Sequence, residues 1–347
     1  MAREVAGTEW AFGSSRRAGR LLHPIQLRNA QPGRSPHHRA NAMRPYRPAV
    51  LGLLAGILLM PASVHAGAWT LARGHIWTKI TFMYQSTNEE YAAVGGSGRP
   101  PDRATLYRAG DRARYRFDGE YDSRAAFLDI MYGLTDRADI GLQVPFFRQR
   151  FQDSAILTGF GEPRTATGFS DLRALLKLGV IQSPVVVSLK SALKAPTGDF
   201  RNEDGLIPVG EGQWDIDLIL QAGRSFWPVR AYANIDVGYR IRLKNNKIDR
   251  DPGDEWFLLA EAGWQPLRDI LISIKYETIR GRPATNFGIR TVQDVKRITY
   301  ISPTLSISRL GNLSLESALR ISVNGRSFPA GPMLVLGLSY TGHLPGS

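Results

Sequence analysis

Several features that would identify common classes of protein are missing from this chain of 347 residues. It has no cysteine, which excludes disulfides, thiolate metal sites and a cysteine nucleophile. Its apolar run from Ala49 to Met60 is too short to cross a bilayer as a helix. No residues occur at a metal-ligand spacing, so neither a metal nor a cofactor is expected.

The formal net charge of +13 would suggest nucleic-acid binding if the basic residues were clustered. Residues 1–66 hold nine arginines and two acids, and so account for +7 of this charge. The other +6 is scattered along the rest of the chain without a basic run. We therefore expect no nucleic-acid partner.

A secretory signal peptide is predicted at residues 43–66. Arg44 and Arg47 form its positively charged start, and the apolar run follows directly. Small residues at the −3 and −1 positions predict cleavage between Ala66 and Gly67. The protein should therefore be exported from the cytoplasm.

Residues 1–42 are rich in arginine, alanine, glycine and serine and show no apolar periodicity. A signal peptide acts at the N-terminus of a chain, which favours Met43 as the true start. We interpret residues 1–42 as a non-native extension; a genuine disordered extension is the alternative.

Alternation of apolar and polar residues, typical of strands with two different faces, recurs after Gly67. In residues 215–223, for example, Ile216 and Leu218 alternate with Asp215 and Asp217. About twelve strands of roughly ten residues are predicted, a length that crosses a bilayer at a tilt. They are 76–86, 123–133, 138–147, 171–180, 185–195, 215–223, 230–241, 255–264, 270–280, 295–307, 313–324 and 331–340.

The connections distinguish a membrane barrel from a soluble β-sandwich, which shows the same alternation. Short turns near 134–137, 182–184, 226–228, 265–269 and 310–312 alternate with long polar loops at 87–122, 151–167, 199–211, 243–254 and 281–293. Periplasmic turns and external loops of outer-membrane barrels alternate in this way. The prediction is an all-β, transmembrane antiparallel up-and-down β-barrel of about 12 strands in a Gram-negative outer membrane. It spans residues 67–340, with both termini periplasmic and residues 341–347 as a tail.

Four segments carry a resemblance to a known family. They are YGLTDRADIGLQVPF (Tyr132 to Phe146), GFSDLRALLKLGV (Gly168 to Val180), LKAPTGDF (Leu193 to Phe200) and GQWDIDLILQAGRSF (Gly212 to Phe226). Together they resemble the outer-membrane family of transporters of the MetA pathway of phenol degradation, over roughly residues 67–340. The resemblance implies a channel-like barrel for small molecules, including aromatic ones. It also implies a link to polysaccharide or biofilm functions, which accompany some members of the family.

Histidine, the usual general base of barrel hydrolases, is scarce. After residue 66 only His75 and His343 remain, at the start of the first predicted strand and after the last. Both should lie at the periplasmic end, whereas such active sites generally lie near the external rim. We therefore expect that the protein is not an enzyme.

Charged residues on the polar faces of the strands are predicted to line the barrel interior. They are Asp171, Arg173, Lys177, Lys190, Lys194, Asp215, Asp217, Arg230, Asp236, Glu261, Lys275, Glu277, Arg297, Glu316 and Arg320. One hypothesis is a wetted channel for passive uptake or efflux of small, hydrophobic or aromatic solutes. The other is a non-conducting structural or surface-interaction barrel whose interior is filled by paired charges. Expected partners are outer-membrane lipid, the barrel assembly machinery during biogenesis and a small-molecule solute.

Overall fold

The computed structural model describes residues 67–96, 106–154, 163–201 and 208–343. Residues 1–42, the predicted signal peptide and the end of the predicted tail lie outside these ranges. Among the described residues, no helix is long and apolar enough to span a membrane.

Twelve antiparallel strands form the wall of a closed barrel, which confirms the predicted fold. In chain order they are β1 His75–Thr87, β2 Glu120–Thr135, β3 Ala138–Gln152, β4 in two segments Arg164–Phe169 and Arg173–Ile181, β5 Val186–Lys194, β6 Asp215–Ser225, β7 Ala231–Arg242, β8 Glu255–Leu267, β9 Ile270–Gly281, β10 Arg297–Leu310, β11 Leu313–Arg326 and β12 Pro332–His343. The last strand thus continues past Tyr340 into the predicted tail.

The barrel is closed because its first strand, β1, pairs with its last strand, β12, as well as with the next strand, β2. In the register of β1 with β12, His75 lies opposite His343, so both ends of the barrel chain lie at the same rim. We name this rim the turn end, because the short turns lie there, and the opposite rim the loop end. The periplasmic position of the turn end stays a prediction.

The two faces of each strand are distributed as in a membrane barrel. On β6, Leu218 and Leu220 are 54% and 51% exposed, whereas Asp215 and Asp217 are 0% and 4% exposed. A water-soluble sandwich would bury its aliphatic side chains, but lipid tails solvate them on the outside of a barrel. The alternation that predicted the strands therefore has its apolar side facing lipid.

Strand β4 is interrupted where it passes Pro145 of β3. Gln143 pairs with Arg173 and Phe146 pairs with Phe169, and the residues between these pairs are not in regular register. Proline has no backbone N–H to donate to a neighbouring strand. Its carbonyl oxygen is still used, because the amide of Ser170 donates to the Pro145 carbonyl oxygen at 2.9 Å.

The loop end is partly covered by segments of three long loops and of the short connection between β11 and β12. Two small sheets lie there, one formed by Glu89–Tyr91, Arg112–Arg114 and Phe328–Pro329, and the other by Arg250–Asp251, Ala284–Asn286 and Ile289–Thr291. Tyr91 and Ala330 of the covering segments pack with Ile298 and Tyr300 of β10 in a buried apolar cluster. This cluster connects the cover to the barrel wall.

Candidate functional site: the barrel interior

A cavity of about 650 Å³ lies inside the barrel. Ten of the fifteen residues predicted to line the interior do border this cavity: Arg173, Lys177, Lys190, Asp217, Asp236, Glu261, Lys275, Glu277, Glu316 and Arg320. They come from β4 to β11, because each strand turns every second side chain inward. The cavity is therefore the interior that the alternation predicts.

Part of the cavity wall is apolar. Around the wall, Lys190 pairs with Ile219, Ile219 with Gly238, Gly238 with Phe257 and Phe257 with Ile279. A Cβ atom on Gly238 would lie 2.2 Å from the Phe257 ring, so only glycine lets this ring lie across the wall. Along this row of paired residues, the wall thus changes from cationic at Lys190 of β5 to apolar at Phe257 of β8 and Ile279 of β9.

Some of the charges in the middle of the barrel are paired across strands. Glu316 accepts from Lys79 at 2.9 Å and from Lys275 at 3.3 Å. Arg320 donates to Glu277 at 2.7 Å. Lys190 makes no ion pair with any residue that the structure describes. Many of the charged side chains inside the barrel are therefore paired, but Lys190, within the described part of the chain, is not.

A dense network of ion pairs, which we name the rim cluster, lies inside the loop end. It consists of five acids and five bases: Asp171, Glu211, Asp215, Asp217 and Glu255 with Arg173, Lys194, Arg240, Arg242 and Lys296. Lys194 Nζ lies 3.0 Å from both Asp171 Oδ2 and Asp215 Oδ2. Arg240 lies 2.7 Å from Asp217 and 3.0 Å from Glu255. The equal numbers of acids and bases make the cluster formally neutral.

Three residues that were predicted to line the interior are buried in the rim cluster instead of facing the cavity. Asp171, Lys194 and Asp215 are at most 3% exposed and do not border the cavity. Glu211, which completes the set around Lys194, lies in a loop and carries no strand alternation that could have revealed it.

The other two predicted lining residues, Arg230 and Arg297, lie outside the interior. Arg230 is exposed in the short turn before β7, because this strand begins one residue later than predicted. Arg297 is the first residue of β10 and is exposed, whereas its neighbour Ile298 is 1% exposed and faces inward. Alternation predicts that consecutive residues of a strand face opposite sides of the sheet. At the first residue of a strand, it does not decide which of the two residues faces the barrel interior.

The segment Gly67–Gly74, immediately before β1, lies inside the turn end, and no sequence pattern predicted this position. Lys177 Nζ donates to the carbonyl oxygens of Gly67 and Trp69 at 2.9 and 3.0 Å. The Leu71 amide donates to the Asp139 carboxylate, at 3.1 Å to Oδ1. Because Gly67, Trp69 and Leu71 border the cavity, this segment forms its floor.

The rings of His75 and His343 face each other edge to face at the turn end, with centroids 5.2 Å apart. No group of three or more potential metal ligands occurs within the described ranges. The two histidines lie at the turn end and are remote from the loop-end rim. The groups that the interior offers to a solute are the charged and apolar side chains of the cavity wall.

A closed antiparallel barrel with an apolar exterior and a charged interior defines an outer-membrane β-barrel protein. The family described as "Putative MetA-pathway of phenol degradation" matches residues 129–334, more than half of the chain. The chain belongs to this family, as the resemblance of its hairpins predicted. No curated protein sequence matches it significantly.

Comparison with solved structures finds one barrel with the same fold and others that are less similar. The COG4313 outer membrane channel from Pseudomonas putida F1 is similar with a TM-score of 0.64 at 16% identity, over 81% of this chain and 100% of that one. The KdgM porin reaches a TM-score of 0.40 at 10% identity, over 77% of this chain and 99% of the porin. A TodX mutant, a monoaromatic hydrocarbon channel, reaches 0.43 at 8% identity, over 79% and 91%. Only the first likeness is close enough to support the fold.

Proposed function

We propose that this protein is an outer-membrane channel for the passive passage of small solutes, including hydrophobic and aromatic ones, and has no catalytic role. The observation that carries the proposal is the internal cavity of about 650 Å³, which lies within the size range of small-molecule sites. Its wall offers a solute both the apolar surface around Phe257 and the charges around Lys190. The family and the fold of the COG4313 channel support this proposal.

A solute that crosses the barrel must pass through this cavity. Ala192 is a small inward-facing residue between Leu175 and Asp217 on the neighbouring strands, and it borders the cavity. Replacing it with tryptophan would fill part of the cavity. Ala262, which is exposed on the lipid-facing side of β8, offers a matched position for the same substitution.

The test compares the uptake of an aromatic solute by cells that produce the wild type, Ala192→Trp, Ala262→Trp or no barrel. The proposal predicts that uptake is faster with the wild type and with Ala262→Trp than without the barrel, and that Ala192→Trp lowers the rate. Heat-modifiable mobility on gels verifies that each variant is folded in the outer membrane. Equal uptake by wild-type and barrel-free cells would reject the proposal.

The second candidate function is a non-conducting structural or surface-interaction barrel, associated with exopolysaccharide or biofilm. The specific observation in its favour is that both ends are narrowed, by Gly67–Gly74 at the turn end and by the rim cluster at the loop end. This candidate predicts that uptake is independent of the barrel and that loss of the barrel changes surface polysaccharide retention.

A further inference from the structure

On the outer surface of the barrel, two pairs of arginines face each other across neighbouring strands near the loop end. Arg124 of β2 lies opposite Arg148 of β3, and Arg280 of β9 lies opposite Arg297 of β10. Like charges directly opposite each other destabilise a sheet. Such a pair is relieved when an anion lies between the two guanidinium groups, which bind phosphate in a bidentate manner.

The protein itself supplies little of this compensation. Arg124 is 3.5 Å from Asp122, with its side chain still 62% exposed. Among the described residues, Arg280 donates to the Thr299 hydroxyl alone, at 3.3 Å. Neither Arg148 nor Arg297 forms an ion pair with any described residue. Other arginines of the loop end are paired: Arg164 lies 2.9 Å from Asp153, and Arg250 lies 2.7 Å from Asp294.

Both pairs lie directly above the apolar band of the barrel. On β2 and β3 the outward positions one step closer to the turn end are Ala126 and Phe146. On β9 and β10 the corresponding outward positions change from Tyr276 and Ile301 through two threonines to the arginines. Aromatic residues commonly mark the depth at which lipid headgroups begin. From Phe146 and Tyr276 we infer that both arginine pairs lie at this depth.

We propose that these two arginine pairs are binding sites for the phosphate groups of lipid A in the outer leaflet. The occupant is argued from charge complementarity, from the position of both pairs at the upper edge of the lipid-facing surface, and from their location at the predicted external end. The inference is independent of the channel function, because these arginines face lipid and the cavity lies on the other side of the wall.

The test is native mass spectrometry of the refolded full barrel with bisphosphorylated lipid A, with the same lipid after removal of its phosphates, and with inorganic phosphate. The variants are Arg124→Gln with Arg148→Gln, and Arg280→Gln with Arg297→Gln. The control is Arg230→Gln with Arg268→Gln, which removes two exposed arginines from turns at the opposite end.

The wild type and the control should bind two molecules of bisphosphorylated lipid A. Each loop-end variant should bind one molecule with unchanged affinity and the second molecule more weakly than the wild type does. Because a basic residue near an anionic lipid surface contributes to the free energy of binding, removing one arginine should raise the Kd at that site about fivefold. Equal binding of the dephosphorylated lipid by the wild type would overturn the proposal without any variant. It would also be overturned by unchanged affinity in both folded loop-end variants, or by inorganic phosphate that occupies the sites as tightly as the lipid.

Discussion

At the scale of single residues, Lys194 shows how much the environment of a lysine decides its role. It is 3% exposed and surrounded by Asp171, Asp215 and Glu211. Removing one partner of a buried ion pair commonly costs about 3–5 kcal/mol, because the remaining charges stay buried without compensation. We therefore expect Lys194→Gln to lower the free energy of unfolding by that order, measured by urea unfolding in detergent micelles.

Lys190, four residues earlier on the same strand, is the matched control for Lys194. It borders the cavity and makes no ion pair among the described residues. Lys190→Gln should leave the free energy of unfolding nearly unchanged and shift the ion selectivity of the barrel toward cations. Equal destabilisation by the two substitutions would show that the rim cluster is not the reason for the effect.

At the scale of the strand, β6 tests the assignment of faces with two neighbouring aliphatic residues. Leu218 is 54% exposed to lipid, whereas Ile219 borders the cavity. An arginine on the lipid face costs about 2–4 kcal/mol near the midplane. Leu218→Arg should therefore hinder assembly into the outer membrane, and Ile219→Arg, whose guanidinium group reaches the polar cavity, should hinder it less. Comparable yields of folded protein from both variants would contradict this assignment.

The segment Gly67–Gly74 is the element most open to an experiment on permeation. Lys177→Met removes two hydrogen bonds to the carbonyl oxygens of Gly67 and Trp69, and so should loosen the floor of the cavity. We expect a higher single-channel conductance in planar bilayers. Lys190→Met removes the same charge from the same cavity without touching the segment, and should not produce this increase. The same increase in both variants would assign the effect to charge alone.

At the scale of the whole molecule, the barrel could be predicted from the sequence because its physical cause is local. Residues 215–223 alternate at every position except Ile219, and the structure exposes Ile216, Leu218 and Leu220 while it buries Asp215 and Asp217. The alternation of short and long connections then predicts hairpins in series. Neither inference requires knowledge of contacts between distant residues.

The parts that could not be predicted depend on contacts between distant residues. Lys194 and Asp171 are both inward-facing, but only the register of β4, β5 and β6 and the fold of a loop bring Glu211 to the same point. Gly67–Gly74 has no alternation, and its position is defined by Lys177 and Asp139, which are far away in sequence. Pro145 did offer a local signal for the interruption of β4, because proline rarely lies inside a central strand.

The most direct test of the channel is the conductance of the purified protein in a planar lipid bilayer. Because charges of both signs line the cavity and the rim cluster is neutral, we predict a small conductance with weak ion selectivity. Ala192→Trp should reduce this conductance, and Ala262→Trp should leave it unchanged. A wild-type protein that is folded by gel mobility and by tryptophan emission, yet never conducts, would contradict the channel and favour the non-conducting barrel.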